Sequence, residues 1–132
     1  MSAARILLIE DHTDVRESVA TLLRSAGYEV VSASDGREGL ALAQNERPDL
    51  LLTDLMLPWM NGYEICSMLK HDVRFQAIPV IIWSATKIQQ EDTKLAIDAG
   101  ADEFLLKTVN PRELLEKIQQ LLDAAKRRAS ST

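Results

Sequence analysis

Short apolar runs alternate along this chain with longer stretches in which apolar residues recur at helical spacing. Arg5-Ile6-Leu7-Leu8-Ile9 predicts a first buried strand, and Asp14 to Ala26 a helix carrying Val15, Val19, Leu22 and Leu23 on one face. Asp14 with Glu17 resembles a capping box, and Gly27 supplies a stop. Tyr28 to Ala33 is β-branched but holds Glu29 and Ser32, which predicts a partly exposed edge strand. Asp35-Gly36 opens a second helix that ends near Pro48. A run of three leucines then leads into Thr53 and Asp54, too short for a helix and suited to a central strand. A third helix is predicted from Tyr63 to His71, a fourth strand over Pro79 to Trp83 and a fourth helix from Gln90 to Ala99, stopped by Gly100. Glu103 to Leu106 predicts the fifth strand. The last helix has the clearest signals: Asn110 as cap, Pro111 at its first position, Glu113 to close the box, then Leu114, Leu115, Ile118, Leu121, Leu122 and Ala125 in register.

Strands alternating with helices imply an α/β fold, a parallel sheet covered on both faces. Right-handed crossovers point every strand C-terminus the same way. Glu10, Asp11, Asp54, Ser84 and Lys107, each at or just past a strand end, then share one rim. With strand order 2-1-3-4-5, the three carboxylates meet at the switch point, where open α/β sheets bind ligands.

Composition narrows the possibilities. The 132 residues fit one domain over 1–132, with a core at about 5–122 and a loose tail at 129–132. A net charge of -5 argues against a body that binds nucleic acid directly. The single Cys66 excludes an internal disulfide, and no run reaches membrane-spanning length or has signal-peptide layout, so a cytoplasmic protein is expected.

Like charges gathered at one rim repel, and a hard divalent cation such as Mg²⁺ relieves them. Three carboxylates, one divalent cation and one lysine balance in charge. In that setting an aspartate can act as nucleophile and form an acyl phosphate, with Ser84 and Lys107 holding phosphoryl oxygens.

Taken together, Leu8-Ile9-Glu10-Asp11, Asp54 through Gly62, Ser84-Ala85 and Ala99 through Lys107 resemble the receiver domain of two-component response regulators, including single-domain chemotaxis-type members. The resemblance covers about Arg5 to Leu122 and implies a flavodoxin-like doubly wound sheet of five strands with five helices. It also implies that Asp54 accepts phosphoryl from a histidine kinase or histidine phosphotransfer protein. Glu10 and Asp11 would form the Mg²⁺ pocket with Asp54 and the Met56 carbonyl. Ser84 and Phe104 would be the switch pair, and the fourth helix, fifth strand and fifth helix the output surface toward a downstream protein or a second copy.

Two positions depart from the pattern. Thr108 follows Lys107 where the family has a cis-bonded Pro; without proline a cis bond costs roughly 3–4 kcal/mol, so a trans loop is expected. Met56 carries neither charge nor a base, so the acyl-phosphate lifetime is not expected to depend on that side chain.

Each residue taken singly has a plainer reading. Asp54 caps a turn, Glu10-Asp11 is a solvated loop, Ser84 bonds its own backbone, Lys107 is surface, and Phe104 and Trp83 are strand packing. Convergence on one rim favours the functional reading for the first five. Cys66 reads as inert, His12 and His71 share no ligand spacing with other His or Cys, and Lys126-Arg127-Arg128 complements a helix dipole. Two other functions compete: a Mg²⁺-dependent phosphatase with an aspartyl nucleophile, and a receiver-fold module that is never phosphorylated. The phosphatase pattern generally has a second Asp two residues after the nucleophile, where this chain has Met56.

Overall fold

The computed structural model describes residues 3–86 and 89–130. Five strands and five helices alternate: β1 Arg5–Ile9, α1 Thr13–Ser25, β2 Glu29–Ala33, α2 Gly36–Glu46, β3 Leu50–Asp54, α3 Gly62–Lys70, β4 Val80–Ser84, α4 Gln90–Ala99, β5 Glu103–Leu106 and α5 Pro111–Ser130. The sheet is parallel throughout, in order β2-β1-β3-β4-β5. This is the expected flavodoxin-like arrangement.

Both faces of the central strands are buried, which explains their unbroken apolar runs. Side chains alternate between two cores. Leu7, Ile9, Leu51 and Ile82 pack toward α2 and α3 with Ile65, Cys66 and Leu69. Ile6, Leu8, Leu52, Ile81 and Trp83 pack on the opposite face against Ala20 and Leu23 of α1 and Leu114, Ile118 and Leu122 of α5. Buried Trp83 and Cys66 are therefore packing residues, and the Cys66 thiol donates to the Ala99 carbonyl. Burial pushes that thiol up to about 11, consistent with an inert cysteine.

Local chemistry departs from expectation at several helix ends. α1 begins at Thr13 with His12 as its N-cap, so Asp14 lies inside the first turn and forms no capping box with Glu17. α3 begins at Gly62 because Asn61 and Glu64 form a reciprocal box: Asn61 Oδ1 accepts from the Glu64 amide at 2.9 Å, and Glu64 Oε1 accepts from the Asn61 amide at 3.2 Å. Asp35 caps α2 and Asn110 accepts from the Arg112 amide, as their side chains suggest. The tail expected to be loose from 129 is helical through Ser130, since the polar end of α5 continues the turn; residues 131 and 132 lie outside the described residues.

Candidate functional site

At the C-terminal rim of the sheet, β1 ends at Ile9 and delivers Glu10 and Asp11, while neighbouring β3 ends on Asp54. β4 ends on Ser84, and Lys107 follows β5. Backbone pairing continues past the strands: the Leu55 amide donates to Trp83 O at 2.8 Å and the Lys107 amide to Ser84 O at 2.8 Å. Gly62 closes the loop after β3 by donating to Leu55 O at 2.9 Å. A Cβ there would stand 2.8 Å from Asp54 O and 3.1 Å from Leu55 Cα, both backbone, so only glycine lets α3 start this close to Asp54.

Lys107 is the centre of the charge arrangement. Its ammonium donates to Glu10 Oε1 and lies 3.2 Å from Asp54 Oδ2. It also sits 5.8 Å from the centroid of the Trp83 ring, a cation–π contact from the packed face below. Among the described residues there is no cis peptide bond, so the Lys107-Thr108 bond is trans, and the lysine still reaches both carboxylates.

Glu10 is fully buried. Burial pushes its carboxyl up, but the Lys107 hydrogen bond, the His12 amide and the Lys107 charge together hold it below the ordinary glutamate range. Asp54, also buried, is pushed above the ordinary aspartate range: burial dominates, Lys107 opposes it, and the Glu10 charge adds to the rise. Two neighbouring carboxylates thus sit in unlike states of engagement. Asp11 completes the acidic group, and its buried Oδ1 accepts no hydrogen bond. A buried carboxylate oxygen that accepts no hydrogen bond, beside two further carboxylates, is the donor chemistry a hard divalent cation takes, so the residues present fit Mg²⁺.

Ser84 lies at the edge of the same cleft, a concavity of about 360 Å³ lined also by Asp54, Met56, Thr86 and Lys107. Its hydroxyl is shared with Thr86 Oγ1 at 3.0 Å and accepts from the Thr86 amide at 3.2 Å. The Met56 side chain is exposed and its amide donates to Asp54. Phe104 is half-buried, 6.2 Å from Tyr63 by ring centroids, and that tyrosine's hydroxyl in turn donates to Asp92 of α4 at 3.1 Å. His12, to which sequence reading assigned no site, lies beside the acidic group. Its ring Nδ1 lies 3.2 Å from Glu10 Oε2 and 3.3 Å from Asp11 Oδ1. Its neighbours in the chain are the carboxylates Glu10 and Asp11 rather than other His or Cys.

A doubly wound sheet with carboxylates at the β1/β3 switch point and a lysine reaching across from β5 defines an open α/β domain with a charged cleft where such sheets bind their ligands. Residues 6–119 match the response regulator receiver domain, and the chain belongs to that family. Receiver domains mediate phosphorylation-dependent signalling in two-component systems, generally bind Mg²⁺ at an acidic pocket, and have histidine kinases or phosphotransfer proteins as partners. Over 118 residues the chain is 40% identical to the DNA-binding dual master transcriptional regulator RpaA of Synechocystis, covering 89% of this chain and 48% of that protein. It thus spans about half the length of the curated relatives it matches. Among solved structures, it resembles a CheY-like receiver domain protein from Methanospirillum hungatei with a TM-score of 0.88 and 37% identity, covering 96% of this chain and 99% of that one. The chemotaxis protein CheY4 of Vibrio cholerae is similar at a TM-score of 0.86 and 32% identity, with 91% and 99% covered.

Proposed function

We propose that this domain accepts a phosphoryl group on Asp54 from a histidine kinase or histidine phosphotransfer protein, with Mg²⁺ in the pocket of Glu10, Asp11 and Asp54. The observation that carries the reading is the Lys107 ammonium held between Glu10 and Asp54 at the mouth of the sheet. An Asp54 carboxylate oxygen attacks phosphorus, the phosphorus–nitrogen bond of the donor phosphohistidine breaks, and the departing imidazole takes up a proton. Lys107 exchanges part of its pairing with carboxylate for pairing with the transferred phosphoryl oxygens, and Ser84 releases Thr86 to donate to another. Mg²⁺, when bound by Asp11, Asp54 and the Met56 carbonyl, supplies charge neutralisation for the phosphoryl oxygens.

The consequence is conformational. Drawing Ser84 inward opens space beside Phe104, whose packing against Tyr63 links β5 to α4 through Asp92. A charge added at the rim therefore biases the α4–β5–α5 face, where Leu95 and Ile97 of α4 are exposed to a downstream protein or a second copy. We place the domain in the cytoplasm and expect it to act through protein contacts. No helix among the described residues is long and apolar enough to cross a membrane.

The test is phosphorylation by acetyl phosphate with Mg²⁺, read by intact mass for wild type, Asp54→Asn and an EDTA control. One added phosphoryl group, absent from the mutant and from the chelated sample, is expected. No adduct in wild type would leave only the fold, and steady phosphate release over many fast turnovers would make the protein a phosphatase.

A further inference from the structure

We propose that His12 is an additional ligand in the divalent-cation pocket, giving the site a preference for imidazole-binding transition ions such as Ni²⁺ and Zn²⁺ over Mg²⁺. The inference rests on the reading of this pocket as a metal site and adds to it a nitrogen donor. His12 is the N-cap residue of α1, yet its side chain makes no capping hydrogen bond. The ring instead turns back over the strand end, with Nδ1 at 3.2 Å from Glu10 Oε2 and 3.3 Å from Asp11 Oδ1. The His12 amide donates to the same Glu10 oxygen at 3.1 Å, which fixes the residue over the carboxylates.

One candidate ligand atom each from Glu10, Asp11, His12 and Asp54 lies within 4.8 Å of all the others. A tetrahedral site with bonds of about 2.0–2.1 Å has edges of about 3.3–3.4 Å, close to the separations of Nδ1 from the two carboxylates. Lys107 takes Glu10 Oε1, while Glu10 Oε2 and the buried Asp11 Oδ1 both face the His12 ring, so the three atoms a cation would meet already converge on one point. The His12 side chain is 71% exposed, so its nitrogen can reach an ion without losing buried contacts. Mg²⁺ takes oxygen ligands and keeps its waters, and so gains little from an imidazole. Zn²⁺ and Ni²⁺ gain a strong bond.

Calorimetric titration with Mg²⁺, Ni²⁺ and Zn²⁺, without any phosphodonor, tests this on wild type, His12→Ala, His12→Gln and Asp11→Asn. Groups outside the first coordination sphere are commonly worth about 10–100-fold in metal affinity, so losing a direct ligand is expected to weaken Ni²⁺ and Zn²⁺ at least tenfold. Mg²⁺ affinity is expected to stay within about twofold in both His12 variants, because Mg²⁺ is held by oxygen ligands. Equal losses for all three ions, or no loss, would overturn the proposal and leave His12 as a hydrogen-bonding neighbour of Glu10. Retention of Ni²⁺ and Zn²⁺ binding by Asp11→Asn would overturn it too, by placing those ions elsewhere. If Mg²⁺ binding is itself indifferent to Asp11, the pocket reading under the proposed function fails separately.

Discussion

Replacing Lys107 with Met keeps most of the aliphatic stem and removes the cation that stands between Glu10 and Asp54. Glu10 has no exposed surface, the Asp54 side chain is 6% exposed and that of Lys107 is 16% exposed, so the pair is shielded from water on nearly every side. Breaking a buried pair by removing one partner costs about 3–5 kcal/mol, and the partly exposed lysine trims this to about 2–4 kcal/mol. The loss has a defined pH dependence. In the wild type, Glu10 sits below its ordinary range, so its contribution is present above the unfolded value of 4.5 and lost as pH falls through the folded value. In Lys107→Met, burial outweighs the His12 hydrogen bonds left on Glu10 and the Met56 amide left on Asp54 and raises both carboxyls, so the variant loses stability as pH rises above the unfolded values. The difference between the proteins therefore grows with pH. Urea unfolding at about pH 7.5 is expected to show the full loss, shrinking to about 1 kcal/mol near pH 5 as both carboxyls protonate. Saturating Mg²⁺ at the higher pH should recover part of it by replacing the missing positive charge. A loss that is the same at both pH values, or below about 0.5 kcal/mol at the higher one, would refute the reasoning, since that is the scale of an ordinary surface substitution.

Other positions give independent checks. Gly62→Ala drives a methyl group against the backbone of Asp54 and Leu55 and should destabilise by about 1–3 kcal/mol in urea unfolding; the same variant should phosphorylate more slowly because the acceptor shifts. Asp102 Oδ2 accepts from the Val80 amide at 2.8 Å and from Lys70 Nζ at 3.3 Å, so Asp102→Ala should cost about 1–3 kcal/mol through the orphaned amide; a neutral result would mean water replaces the carboxylate. Mg²⁺ at a hundredfold excess over its dissociation constant should stabilise the wild type by about 2.7 kcal/mol, seen as a higher melting temperature, and should leave Asp11→Asn unmoved.

Periodicity carried the architecture. The apolar runs and the stops at Gly27 and Gly100 located every element to within a few residues, and strand alternation fixed a parallel sheet whose rim gathers the strand-end residues. That logic could bring Glu10, Asp11, Asp54, Ser84 and Lys107 to one edge, but it could not say how they pair. Lys107 bonding Glu10 as well as Asp54, and Ser84 turned toward Thr86, depend on side-chain rotamers that spacing does not encode. The turn of the His12 ring toward Glu10 and Asp11 is likewise a rotamer that its place in the sequence does not specify. The start of α3 was misplaced by one residue because the Asn61–Glu64 box has an amide cap rather than the more familiar hydroxyl. Lys107-Thr108 resolved in the direction expected from backbone energetics, as a trans bond.

The most direct test of the central claim is chemical mapping of the phosphorylated residue. After treatment with a phosphodonor and Mg²⁺, borohydride reduces an acyl phosphate to the alcohol, converting the acceptor aspartate to homoserine. Peptide mass spectrometry then reads its position. Homoserine at position 54 alone, absent without the donor, is the result predicted here. Homoserine at position 11, at another carboxylate, or at none while the protein remains folded would contradict the assignment of Asp54 as acceptor.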